Sequence, residues 1–199
     1  LLKFQEEMGY MGKRWLFVCS RSGYKACHDK IEQSFGDLDD YRRYEIFGGI
    51  SSKSEIAKMQ DIVKEDKIDT VVAVGGGSAV DTAKATAYYS GKHIIIVPTV
   101  AATDAPCTGL SVIYNDDHSF DKYLFYPTNP DAVMVDTTVI ANAPVKFLIA
   151  GMGDALGTYF EGRASVLNLP VWKVLESQEP VKHLQDCVMT HFVNMVNRL

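Results

Sequence analysis

The pattern of apolar and polar positions divides the first hundred residues into alternating strands and helices. Trp15, Leu16, Phe17, Val18 and Cys19 form a short continuous apolar run closed by Ser20, the pattern of a buried strand. Residues 21–35 then place Tyr24, Cys27, Ile31 and Phe35 at helical spacing. A polar break at 36–40 leads to a second predicted strand over 43–47, ended by Gly48 and Gly49. Ser51 or Ser52 stands where it can cap a helix whose apolar stripe is Ile56, Met59, Ile62 and Val63. Next comes Thr70, Val71, Val72, Ala73 and Val74, a strand that breaks into Gly75, Gly76 and Gly77 and restarts as a helix at about Ser78. A fourth strand is predicted over 93–99. Strands alternating with helices at this spacing predict an α/β fold: a Rossmann-like, mostly parallel sheet with helices on both faces.

Beyond residue 100 the rhythm changes. Apolar runs over 110–115 and 120–126 flank Asp116, Asp117, His118 and Ser119, which predicts a β-hairpin insertion with a polar turn. A strand over 132–136 follows a proline-bounded loop at 127–130. Pro144 suits the first turn of a helix, predicted over 145–166. Residues 171–199 are again helical in pattern, with Val181, Leu184, Val188, Phe192 and Met195 as one stripe. The expected organisation is an α/β domain over 1–140 and a short all-helical segment over 141–199, with no internal repeat and no low-complexity linker.

Composition narrows the class. The 199 residues are 47% hydrophobic, enough to bury a proper core, and mean hydropathy is near zero. A formal net charge of −5 argues against nucleic acid or an anionic membrane as partner. No apolar run approaches membrane-spanning length, and acidic residues stand near the start where a signal peptide needs an apolar centre. Cys19, Cys27, Cys107 and Cys187 are scattered with no CxxC pair, which predicts reduced thiols in a cytoplasmic protein.

Three stretches carry candidate chemistry. In GGGSAVDTAKA, residues 75–85, a strand that opens through glycine into a helix presents backbone N–H groups at a helix N-terminus with no Cβ in the way. That is a place for an anion, most often the phosphates of a nucleotide; the alternative is a tight strand-to-helix turn and nothing more. Ser78 can offer both hydroxyl and N–H. Asp81, expected in the first helical turn, has two readings, a cofactor contact or a dipole-stabilising acid paired with Lys84 and worth about a few tenths of a kcal/mol. The second stretch, PTVAATDAPCTGLSVIY over 98–114, starts at the carboxyl end of a strand, where parallel sheets bind ligands. It is dense in hydroxyls (Thr99, Thr103, Thr108, Ser111) with one acid, Asp104. The third, GMGDALGTYFEGRA over 151–164, sets Asp154, Thr158 and Glu161 on one helix face. Taken alone, Asp154 reads as a solvated or capping residue.

Together and in this order, these stretches and NPDAVMVDTTVIANAP resemble the glycerol dehydrogenases of the metal-dependent (iron- or zinc-containing) alcohol dehydrogenase family, over about residues 14–163. The resemblance implies roles position by position. Gly75, Gly76, Gly77, Ser78 and Asp81 match the pyrophosphate loop. Thr99 and Ala102, with Thr108, Leu110 and Tyr114, match the wall of the nicotinamide dinucleotide site. Asp104 matches the residue that contacts the polyol, and Asp154 the first ligand of the catalytic metal. The implied chemistry is NAD(P)-dependent oxidation of glycerol or a similar small polyol to the ketone by hydride transfer. Zn²⁺ would serve as Lewis acid, and a homo-oligomer is expected because a missing catalytic domain leaves apolar surface open.

Three departures qualify the resemblance. Where the family's first long strand usually ends in an acid that binds the adenosine ribose, this chain reads Ser20, Arg21, Ser22. Loss of the acid removes repulsion against a 2′-phosphate, so NADP joins NAD as an expected cofactor; the competing reading is a helix-capping serine beside a solvated arginine. Serine also stands at position 78, where the family often has lysine. Beyond Arg163 the family's two metal-binding histidine motifs are not reproduced. His183, Cys187 and His191 recur at helical spacing, but His183 and His191 would lie about 12 Å apart along a straight helix, too far to share one ion. A second expectation therefore stands beside the enzyme: a truncated, catalytically inactive dinucleotide-binding protein acting through binding or assembly. Polyol-phosphate dehydrogenases and dehydroquinate synthase-type lyases are further chemistries on the same fold.

Overall fold

A computed structural model describes residues 9–168. The predicted helix over 171–199, its apolar stripe, and the His183, Cys187 and His191 trio lie outside the described residues. In chain order the elements are β1 (Arg14–Cys19), α1 (Arg21–Phe35), β2 (Tyr41–Ile46), α2 (Lys53–Glu65), β3 (Thr70–Gly75), α3 (Gly77–Ser90), β4 (His93–Pro98), β5 (Leu110–Tyr114), β6 (Phe120–Phe125), β7 (Ala132–Val133), α4 (Thr137–Ala141) and α5 (Val145–Asn168). The Cα packing separates two compact units. One holds residues up to 101 together with 105–143; the other joins 102–104 to the chain from Pro144 onward.

The first unit carries a five-stranded sheet in the order β2-β1-β3-β4-β7, all pairs parallel, and a separate antiparallel pair β5-β6. This is the α/β architecture with hairpin insertion that the apolar pattern predicts. β1 and β3 are almost wholly apolar because helices cover both of their faces. Alternation along each strand sorts their side chains into two cores. Trp15, Phe17, Cys19, Val72, Val74, Ile95 and Val97 pack with Cys27, Ile31 and Phe35 of α1 and Val139 of α4. Leu16, Val18, Val71, Ala73 and Ile96 pack on the other face with Met59, Ile62 and Val63 of α2 and Val80, Ala83 and Ala87 of α3. Among the described residues Cys19 and Cys27 are free and buried, Cys107 is free and exposed, and no helix is long and apolar enough to cross a membrane.

Two boundaries differ from expectation. β2 starts at Tyr41, whose N–H donates to the Lys13 carbonyl at 2.9 Å, so the strand begins two residues and ends one residue earlier than its apolar pattern suggested. The strand expected over 132–136 pairs with β4 only at Ala132 and Val133, with one more bond from Met134 N–H to Ile96 O at 2.8 Å. It stops because Asp136 turns the chain into α4, its carboxylate accepting from the N–H groups of Thr138 and Val139.

Candidate functional site

The strand order creates the crevice. The chain leaves β1 for β2 on one side and returns through α2 to β3 on the other, so the direction of winding reverses between β1 and β3. Open parallel sheets bind ligands beyond the carboxyl ends of the strands at such a reversal. The two strand ends are stitched there by Ser20 N–H donating to Val74 O at 2.9 Å.

The glycine turn sits at that point. A Cβ on Gly75 would lie 2.8 Å from the Ala79 Cβ, closer than real Cβ atoms come, and a tight 3.0 Å from Ser20 Oγ. Gly76 is the extended N-cap of α3 and, unlike the caps of the other helices in this unit, contributes no side-chain hydrogen bond. Ser20 caps α1 through Gly23 N–H, Ser52 caps α2 through Glu55 N–H, and Asp136 caps α4. The first turn of α3, a 14-residue helix, carries no acid, and Ser78 is exposed. The result is a helix N-terminus whose partial positive charge and first amides are not consumed by the protein's own side chains, which fits a pyrophosphate.

The helix starts at Gly77, which moves Asp81 to its fifth position, past the first turn where it was expected. The pairing with Lys84 is present nonetheless: Nζ stands 3.5 Å from Asp81 Oδ1, and both residues are buried. Asp81 Oδ2 accepts from Val112 N–H at 3.2 Å, and Ser111 Oγ donates to the Asp81 carbonyl at 3.3 Å. Burial pushes the Asp81 carboxyl above the ordinary range, opposed by the Lys84 ammonium and the Val112 amide. Lys84 Nζ further donates to the carbonyls of Ala105 at 2.9 Å, Thr108 at 3.2 Å, and Leu110. Sequence spacing reveals the Asp81–Lys84 pair but not these carbonyls, which come from 21 to 26 residues further on.

The remaining residues of this unit that the resemblance assigns to a dinucleotide wall are held from several sides. Thr99 is buried, with its N–H donating to Gly75 O at 3.1 Å. Thr108, Leu110 and Tyr114 are half-buried, and Tyr114 N–H donates to Ser51 O at 2.9 Å beside a bridge between Ser52 and Tyr114. Ser20 Oγ accepts from Gly23 N–H at 3.0 Å and Arg21 is exposed, so the position where an acid was expected holds a helix cap.

The second unit brings the two candidate carboxylate residues together. Asp104 N–H donates to Asp154 Oδ2 at 3.3 Å, and both residues are exposed. Thr158 Oγ1 donates to the Asp154 carbonyl at 3.2 Å, a helix back-bond and not a ligand contact. Ala102, half-buried, belongs to the same unit as Asp104. Among the described residues no group of three or more His, Cys, Asp or Glu side chains converges as a metal site needs. One carboxylate is an incomplete donor set for zinc or iron, so these residues do not hold a metal by themselves.

Comparison with known proteins gives the geometry its lineage. Residues 1–137 match the model of the iron-containing alcohol dehydrogenases. The chain belongs to that family. As a member of it, this protein is similar to glycerol dehydrogenase of Thermotoga maritima, 54% identical over 120 residues, covering 60% of this chain and 33% of the relative. Glycerol dehydrogenase of Escherichia coli O6:H1 is 43% identical over 154 residues, covering 77% of this chain and 42% of the relative. The crystal structure of a probable glycerol dehydrogenase from Sinorhizobium meliloti 1021 superposes with a TM-score of 0.71 at 40% identity, over 81% of this chain and 43% of that one. The resemblance expected from the motifs is therefore met. The family is named for iron, where the resemblance implied zinc as the Lewis acid. The chain spans less than half the length of these relatives.

Proposed function

We propose that this chain is the dinucleotide-binding part of an oxidoreductase that oxidises glycerol or a similar small polyol to the ketone. The observation that carries this reading is the glycine-led N-terminus of α3, which no side chain caps, at the reversal between β1 and β3. The amides from Gly75 to Ser78 cradle the pyrophosphate, with Asp81 behind them. Thr99, Ala102, Thr108, Leu110 and Tyr114 line the dinucleotide, and the domain they serve spans 1–140. A nicotinamide dinucleotide held there would supply the acceptor for the hydride of the carbinol carbon, with the hydroxyl proton passing to solvent. Asp104 orients the polyol by accepting a hydroxyl proton in a hydrogen bond. Asp154, in the segment assigned to 141–199, would supply one carboxylate to a divalent cation, Zn²⁺ or iron, whose other ligands come from elsewhere. The capping role of Ser20 and the exposure of Arg21 support use of NADP as well as NAD, since no acid repels a 2′-phosphate there. The protein acts in the cytoplasm, as a homo-oligomer.

Among the described residues Asp154 is the one candidate metal carboxylate, so a second reading stands beside the first, a dinucleotide-binding protein without turnover. Fluorescence titration with NADH and NADPH tests the shared part: saturable binding of at least one is expected, and a flat titration with both sinks it. Glycerol-dependent formation of NAD(P)H with zinc or ferrous iron added, and again under chelation, separates the two. Metal-dependent turnover selects the enzyme; binding without turnover selects the second reading.

A further inference from the structure

We propose that the buried Asp81–Lys84 pair is a positioning device that sets β5 and the 105–110 loop into their cofactor-binding geometry before any dinucleotide arrives. The inference rests on the reading of Thr108, Leu110 and Tyr114 as the cofactor wall. An ammonium as buried as that of Lys84, 3% exposed, is tolerated only when its donors and its charge are matched. Lysine has three N–H donors, and Lys84 directs them to three carbonyls of one short segment, those of Ala105, Thr108 and Leu110. That segment runs from a 3₁₀ turn, Ala105–Cys107, through irregular backbone into Leu110, the first residue of β5, so the three bonds bridge a stretch that little regular structure holds. A neutral side chain of the same volume would remove all three bonds from Nζ.

Asp81, one turn earlier, supplies the counter-charge and continues the line of attachment to Val112 N–H through Oδ2. Ser111 Oγ adds a bond to the Asp81 carbonyl. One face of α3 thus grips residues 105–112 at successive points. The same helix opens with the phosphate cradle, and Lys84 follows Gly77 by roughly 10 Å of helix axis at 1.5 Å per residue. A rigid helix between the two grips keeps cradle and wall in register, which is what a ligand touching both requires.

The test replaces Lys84 by Met, which keeps length and apolar volume but removes the donors. NADH affinity is expected to fall at least about tenfold (~1.4 kcal/mol), while affinity for ADP, which reaches the cradle without the nicotinamide half, stays near wild type. Hydrogen exchange is expected to speed up in peptides covering 105–114 and to remain unchanged in β1 and β3. Wild-type NADH affinity in a folded K84M protein, or equal losses for NADH and ADP with exchange raised throughout, overturns the proposal. If K84M does not fold, the wild-type chain decides. The amides from Leu110 to Tyr114 are expected to exchange slowly without ligand and to change little when NADH is added; fast exchange that slows only on NADH addition overturns pre-setting. A wild-type chain that binds neither NADH nor ADP overturns the cofactor reading itself, and the wall with it.

Discussion

At Gly75 a single absent Cβ decides whether β3 can hand over to α3. The turn brings the backbone within contact of Ala79 and of the Ser20 hydroxyl that caps α1, so one added methyl meets two helices at once. Gly75→Ala is expected to cost about 1–3 kcal/mol through overpacking and to weaken dinucleotide binding, because the cradle amides must shift with the turn. A urea unfolding midpoint and an NADH titration check it; a wild-type midpoint would mean the turn relaxes without strain. The need for glycine here was legible in the sequence, since a strand ending in three glycines before a helix is a local signal. The role of Lys84 was not legible. Its acceptors are backbone carbonyls, which every residue carries and which leave no mark in the side-chain sequence.

Individual elements were readable where their periodicity was strong and their ends were chemically marked. α1 matches its apolar spacing because Cys27, Ile31 and Phe35 all face the sheet. Phe35 closes that face, edge-on to Trp15 at 5.6 Å and to Phe17 at 6.2 Å between ring centroids. Phe35→Ala is expected to destabilise the protein by about 3–5 kcal/mol, the usual range for an aromatic removed from a core, with the loss measured by chemical denaturation. A loss below about 1 kcal/mol would mean that α1 repacks into the space. Elements decided by competition were less readable. The run AVMVD looks like five residues of strand, yet its last member is a better helix cap than a sheet residue, and α4 begins there. β2 is polar enough (Tyr41, Arg42, Arg43) that pairing with β1, not its own pattern, sets where it starts.

For the whole molecule, one ionic junction ties the sheet edge to the end of α2. Asp66 Oδ2 lies 2.7 Å from Arg43 Nη1 and accepts from the Tyr41 hydroxyl at 2.7 Å, while its carbonyl accepts from Arg14 Nε. The Arg43 guanidinium, with the Tyr41 hydroxyl, holds the Asp66 carboxyl below the ordinary range. A carboxyl depressed in the folded state stabilises above its unfolded pKa, about 3.9, and that contribution is lost as pH falls through the lower folded value. Stability is therefore expected to drop below about pH 4, and Asp66→Asn to lower the neutral-pH midpoint while flattening the acid limb. Urea midpoints from pH 2 to 7 for both proteins provide the check; identical acid slopes would remove Asp66 from the account.

The sequence by itself determined the α/β class, the hairpin and the glycine-led helix, because each depends on periodicity or turn chemistry within a few consecutive residues; the family was legible as a resemblance carried by several motifs in one order. Tertiary structure alone decided the strand order β2-β1-β3-β4-β7, and with it the reversal that puts the glycine turn beside the end of β1. It also brought Asp104 N–H to Asp154 across 50 positions of sequence and buried Asp81 and Lys84 against residues 105–112. These are pairings between distant segments. Which strand lies beside which, and which carbonyls remain for a buried ammonium, follows from how the apolar faces close on one another and not from any short stretch of side chains.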